Sequence, residues 1–193
     1  MLKISIIIPA HNEEKHLNKC LESIDRASST CSYEVEKIVI LNRCTDATER
    51  IAKSNGAITV IEDTRNLSAI RNKGVNQATG DILATIDADS CMSENMLSQI
   101  ERMISSGKYI GGGVHVKFDR YSLGIYLTDF FLRTLLFITG LSGGLYWCSK
   151  DDFIAIGGFN EALSFGEDLD FAKRLKRYGR KINKKYHTIK SAS

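Results

Sequence analysis

The sequence has one proline, Pro9, and no internal repeat or low-complexity stretch. A repeat architecture is therefore excluded. At 193 residues the chain fits a single domain that buries roughly two-thirds or more of its unfolded surface. Paired cysteines are missing too. The five thiols (Cys20, Cys31, Cys44, Cys91 and Cys148) are odd in number, and no two stand at metal-finger spacing. Free, mostly buried thiols in a reducing compartment are expected. Charge of one sign is scarce: 26 Lys and Arg face 23 Asp and Glu, a net of +3. No basic run occurs before 177–185, which argues against a nucleic-acid binder. Met1-Leu2-Lys3 leads into a short apolar strand and not into a signal peptide, so a cytoplasmic protein is expected. No Gly-x-Gly-x-x-Gly follows Ile8, which disfavours a dehydrogenase. The one long apolar stretch, 121–138, contains Asp129 and Arg133, which speaks against a membrane span. It reads as a core or subunit contact. The alternative is an interfacial helix, disfavoured by sparse flanking Lys and Arg.

What is present is a regular alternation. A β-branched run at 4–9 reads as a buried strand, and Asn12, with Glu13 and Glu14 behind it, as the cap of a helix carrying Leu17, Cys20, Leu21 and Ile24. A second strand is expected at 35–41. Asp46 with Glu49 starts a helix that stops near Gly56. A third strand at 58–61, a helix at 68–78 and a fourth strand from 82 follow, and then a helix begun by Ser93. Strands alternating with helices through short loops specify an α/β domain with a mostly parallel sheet. Beyond residue 107 the pattern changes. Three glycines in a strand at 109–118 predict a bulge or close backbone approach. Further strands are expected at 145–149 and 181–190, with helices beginning at Asp151 and Glu167.

Chemistry concentrates where the fourth strand ends, at Asp87-Ala88-Asp89. Two carboxylates at the carboxyl end of a buried strand suit Mg²⁺ or Mn²⁺, and open α/β sheets bind ligands at such ends. Alone, the triplet reads as a turn with two acids. Three other pieces accompany it: Ile6 to Glu14, Val39 to Thr48, and Ala69 to Gly74. Gly157-Gly158-Phe159-Asn160-Glu161 then precedes Gly166-Glu167-Asp168-Leu169-Asp170. In this order and at these intervals the set resembles a family 2 glycosyltransferase of the inverting GT-A type, over about residues 4–182.

The resemblance implies a Rossmann-like three-layer sandwich forming one domain over 1–193. Its nucleotide-binding half would be about 1–106 and its acceptor-binding half about 107–193. It implies a hexosyltransferase-type enzyme that uses a nucleotide-sugar donor, a UDP-sugar being expected. The acceptor would be a glycan or lipid-linked hydroxyl, which adds the inner face of the membrane as a location. A non-catalytic relative that binds a nucleotide or partner is the alternative. Pro9, Ala10, His11, Glu13, Asn42, Arg71 and Asp87 are placed by it at the nucleotide. Leu41-Asn42 departs from the family's commoner acidic pair. Asn42 offers a donor and an acceptor to a base edge, or simply occupies a strand-to-turn junction. Arg71 is either a bidentate phosphate ligand or a solvated helix residue. Asp89, with Asp87, is implied to hold Mn²⁺ or Mg²⁺ against the diphosphate. Asp168 is implied to be the general base, with Glu167 orienting the acceptor. Trp147 either stacks on a sugar ring or belongs to the core. Peripheral membrane contact or a homodimer is expected to run through 121–138.

Overall fold

Seven strands and six helices are set out by the computed structural model, which describes residues 2–115 and 145–190. The apolar stretch at 121–138, expected to form a core, subunit or interfacial contact, lies outside the described residues. Strand β1 (Lys3–Ala10) is buried on both faces, as a non-alternating apolar run demands. It pairs in parallel with β2 (Glu34–Leu41) on one side and β4 (Ile82–Thr85) on the other. β3 (Ile58–Ile61) extends the parallel set beside β2. Beyond β4 lie β6 (Tyr146–Ser149), antiparallel to both its neighbours, then β5 (Tyr109–His115) and β7 (Lys185–Lys190), giving the order β3-β2-β1-β4-β6-β5-β7.

Helices cover both faces of this sheet. Ile4, Ile6 and Ile8 of β1 pack in one core with α1 (Leu17–Ser28), α2 (Thr48–Ser54) and α4 (Met96–Ser105) through Leu21, Ile24, Ala52, Leu97 and Ile100. Ile7 of β1 faces the other core, with Ile38 and Leu83. That core meets α3 (Leu67–Gln77), α5 (Lys150–Ala155) and α6 (Glu167–Lys181) through Ile70, Val75, Phe153, Phe171 and Leu175. The result is the α/β domain with a mostly parallel sheet expected from the alternation, and the three-layer sandwich that the resemblance implies. The chain reverses between β1 and β4, and ligands of such sheets bind at the strand ends there.

Two local expectations turn out differently. Asn12 does not cap α1, which begins at Leu17. Its backbone is left-handed, at φ 54°, and its side-chain oxygen accepts from the Thr45 amide at 2.8 Å. A cross-loop bond has displaced a local cap. The strand at 82 stops at Thr85, so Asp87 opens a turn in which Ser90 N donates to its carbonyl at 3.0 Å. The expected irregularity in β5 is present: the register shifts between Tyr109 and Gly111, and a Cβ at Gly112 would run into the His187 carbonyl of β7.

Candidate active site

Three loops meet at the carboxyl ends of β1, β2 and β4. The first two are stitched together. Asn42 N donates to the Ala10 carbonyl at 2.8 Å, Glu13 N to Thr48 Oγ1 at 2.8 Å, and Glu14 N to Asp46 Oδ2 at 3.1 Å. In return Ala47 N donates to Glu14 Oε2 at 3.1 Å. Loop backbone that finds its partners this way is held without regular structure. Between these loops and the β4 end opens a cavity of about 240 Å³ lined by Pro9, Ala10, His11, Glu13, Asn42, Leu67, Ile70, Asp87, Ala88 and Asp89. Seven of the residues expected at a donor site therefore share one cavity. Leu67 and Ile70, three apart at the start of α3, supply an apolar wall not expected from the sequence. Their helical spacing was the available signal.

Three carboxylates, Glu13, Asp87 and Asp89, line the cavity. Burial raises the Glu13 carboxyl above its ordinary range, and the charge of Asp89 raises it further. A divalent cation between these groups would relieve that repulsion. Among the described residues no cluster of three or more ligands forms a closed cage. Asp87 and Asp89 supply the one or two carboxylates that a hard ion such as Mg²⁺ characteristically takes, completing its shell with phosphate and water.

Asn42 and Arg71 both bond to partners within the protein. The Asn42 amide donates both hydrogens to loop carbonyls, Glu62 O at 2.5 Å and Thr64 O at 2.8 Å, and its oxygen accepts from the Arg43 guanidinium. It lines the cavity with its amide edge already spent, closing the strand-to-turn junction. Arg71 is 1% exposed and is absent from the cavity wall. Gly74 explains why: α3 lies so near the sheet that a Cβ there would come within 2.6 Å of Ile7 Cγ2 and Ile40 Cδ1, so the face bearing Arg71 is covered.

Arg71 reaches the other acidic segment instead. Its Nη1 donates to Asp168 Oδ1 at 2.6 Å and lies 3.6 Å from Glu167 Oε1, while Nη2 meets Asp87 Oδ1 at 3.3 Å. Asp168 opens α6 behind the N-capping Gly166, whose φ of 76° suits glycine. Burial pushes the Asp168 carboxyl up to about 6. The Arg71 cation opposes that rise, and the charges of Glu167 and Asp87 add to it. The preceding segment is clasped to α3: Asn72 Nδ2 donates to Phe159 O at 2.9 Å and Glu161 Oε1 at 2.8 Å, and Phe159 N donates to Asn72 Oδ1 at 3.0 Å. Phe159 lies 5.1 Å beneath the Arg71 guanidinium and stacks on Phe171 at 4.4 Å. Asn72 and Phe159 are structural partners of the site that sequence reasoning missed.

Trp147 is corrected to the core. It is 0% exposed on β6 and packs in the β1–α1 core, leaving no ring face for a sugar.

The family model described as glycosyl transferase family 2 matches residues 5–153. A second, described as the N-terminal domain of galactosyltransferase, matches residues 131–192. The chain is 31% identical to glycosyltransferase AglE of Haloferax volcanii over 188 residues, which covers 89% of this chain and 60% of AglE. It is 28% identical to the dolichol-phosphate mannosyltransferase of Pyrococcus furiosus over 124 residues, 58% of this chain and 35% of that protein. It thus spans less than two-thirds of either relative. In fold it matches the mannosyltransferase PcManGT of Pyrobaculum calidifontis, solved with GDP-Man and Mn²⁺, at a TM-score of 0.73 with 19% identity, over 97% of this chain and 54% of that one. It also matches S. aureus TarS 1-349, solved with UDP-GlcNAc, at a TM-score of 0.67 with 18% identity, over 100% of this chain and 60% of that one.

Proposed function

The chain belongs to glycosyl transferase family 2, and from that membership we propose that it is a metal-dependent, inverting glycosyltransferase. One observation carries the reading. The cavity between the loops is lined by Asp87 and Asp89, and a single buried guanidinium ties Asp87 to a second carboxylate, Asp168. Such a pair of acidic sites, one on each side of a sugar, is what an in-line displacement requires.

In this reading Pro9, Ala10, His11 and Glu13 receive the nucleoside, and Asn42 shapes the pocket by holding its loop. Asp87 and Asp89 hold Mn²⁺ or Mg²⁺, which when bound neutralises charge on the departing diphosphate as a Lewis acid. Asp168 is the base. Its Oδ1 accepts from Arg71 Nη1, and its side chain keeps 28% exposure through which an acceptor hydroxyl can reach it. The acceptor oxygen bonds to the anomeric carbon as the carbon–oxygen bond to the diphosphate breaks. Its proton passes to Oδ2, and the electron pair leaves with the nucleoside diphosphate. Glu167 orients the acceptor.

UDP-sugars are the first donors to test, beside GDP-sugars, because folds like this one were solved with UDP-GlcNAc and with GDP-Man. A glycan or lipid-linked hydroxyl is the proposed acceptor, in keeping with the printed name of the dolichol-phosphate mannosyltransferase relative. No helix among the described residues is long and apolar enough to cross a membrane. A screen of UDP-, GDP- and dTDP-sugars with Mn²⁺, with and without chelator, tests the proposal. Hydrolysis or transfer from at least one donor, lost with chelator, is expected. Absence of turnover together with absence of nucleoside diphosphate binding by calorimetry would favour a non-catalytic relative.

A further inference from the structure

We propose that Arg71 is the positioning residue of this site: a buried cation that aims the base Asp168 and ties it to the donor-side carboxylate Asp87, with no contact of its own to the nucleotide. The inference rests on the reading of Asp168 as the base and extends it to a residue that has no access to the cavity.

The geometry leaves Arg71 little else to do. A fully buried guanidinium is tolerated only when its charge is matched, and here three carboxylates converge on it from two segments. One arm holds Asp168 at 2.6 Å and the other reaches Asp87 at 3.3 Å. The plane of the group is fixed from below by Phe159, itself stacked on Phe171 of the helix that carries Asp168. Arg71 and Asn72 are adjacent on α3, and both grip the chain leading into that helix, one by its base and one by its loop. The planar fork fixes two directions at once, which a lysine ammonium does not. Its Nε makes no hydrogen bond among the described residues and is buried. A base displaced by about 1 Å from its line of approach loses on the order of 100-fold in rate.

The test compares wild type with Arg71→Lys, Asp168→Asn and the double variant, reading kcat and KM for the working donor and UDP–Mn²⁺ affinity by calorimetry. Arg71→Lys is expected to lower kcat about 100-fold and to change nucleotide affinity less than about threefold. The double variant is expected to be no slower than Asp168→Asn alone, because residues acting as a unit are non-additive. Nucleotide affinity that falls in step with kcat would make Arg71 a donor ligand and overturn the proposal. Losses that multiply in the double variant would show a merely structural role and overturn it too. Phe159→Leu provides a second route if Arg71→Lys does not fold. It leaves every charge in place while removing the ring under the guanidinium, and it should likewise lower kcat with affinity kept. Wild-type-like turnover by Asp168→Asn would mark failure of the underlying base assignment, whatever the Arg71 variants do.

Discussion

At neutral pH Asp168 is ionised against the pull of its surroundings. Burial lifts its carboxyl to about 6, from 3.8, and Arg71 only partly offsets that. Groups disturbed in this way gather at functional sites, because a base is most useful when its pKa lies near the working pH. The profile of kcat/KM should therefore fall about tenfold per pH unit below about 6, which a pH–rate measurement checks. Asp168 is flanked by Arg71, Glu167 and Asp87, so the limb reports the group as a coupled set. The two acidic sites should also separate by mutation. Asp89→Asn is expected to weaken Mn²⁺–nucleotide binding by at least tenfold, about 1.4 kcal/mol, in calorimetry. Trp147, in contrast, should matter through packing alone: truncation to Ala costs about 3–5 kcal/mol of stability by denaturant unfolding.

Helix α3 organises the site at the next scale. It faces the donor cavity with Leu67 and Ile70, the base with Arg71, and the loop at 158–161 with Asn72. Its closeness to the sheet depends on Gly74, so Gly74→Ala should push the helix outward. A loss of about 1–3 kcal/mol is expected in urea unfolding, with turnover reduced more than nucleotide affinity. The helix itself was readable from residue spacing, and its observed bounds differ by a residue at each end from those expected. What Arg71 does was not readable. A charged residue on an amphipathic helix looks solvated or ligand-facing, and its partner Asp168 is 97 positions away in the chain. The same holds for Asn12, whose expected helix cap is replaced by a bond from the Thr45 amide that no local pattern encodes. Strands β1 and β4 were legible because parallel, doubly buried strands leave continuous apolar runs. The close approach at Gly112 was legible because only glycine permits it.

For the whole molecule, stability should have a defined pH window. Glu36 is drawn down to about 2, from 4.5: burial works against this, and hydrogen bonds from Ser5, Lys3 and Thr79 outweigh it. Because its folded value is depressed, its contribution of about 3 kcal/mol is complete above 4.5 and is lost as pH falls toward 2. Asp168 has the opposite sign. Its folded value is raised, so its stabilisation is complete below 3.8 and disappears as pH rises through about 6. Urea unfolding across pH should therefore find greater stability near pH 5 than at either pH 3 or pH 7; a maximum at neutral pH would contradict the assignment for Asp168, and no loss between pH 5 and pH 3 would contradict that for Glu36. The central claim is that donor binding and proton removal are divided between the two ends of one buried ion-pair network. The most direct test measures turnover and UDP–Mn²⁺ affinity of Asp168→Asn beside wild type on the working donor–acceptor pair. The account predicts turnover lowered by about 100- to 10,000-fold with affinity nearly unchanged. Wild-type-like turnover, or an affinity lost together with the rate, would contradict it.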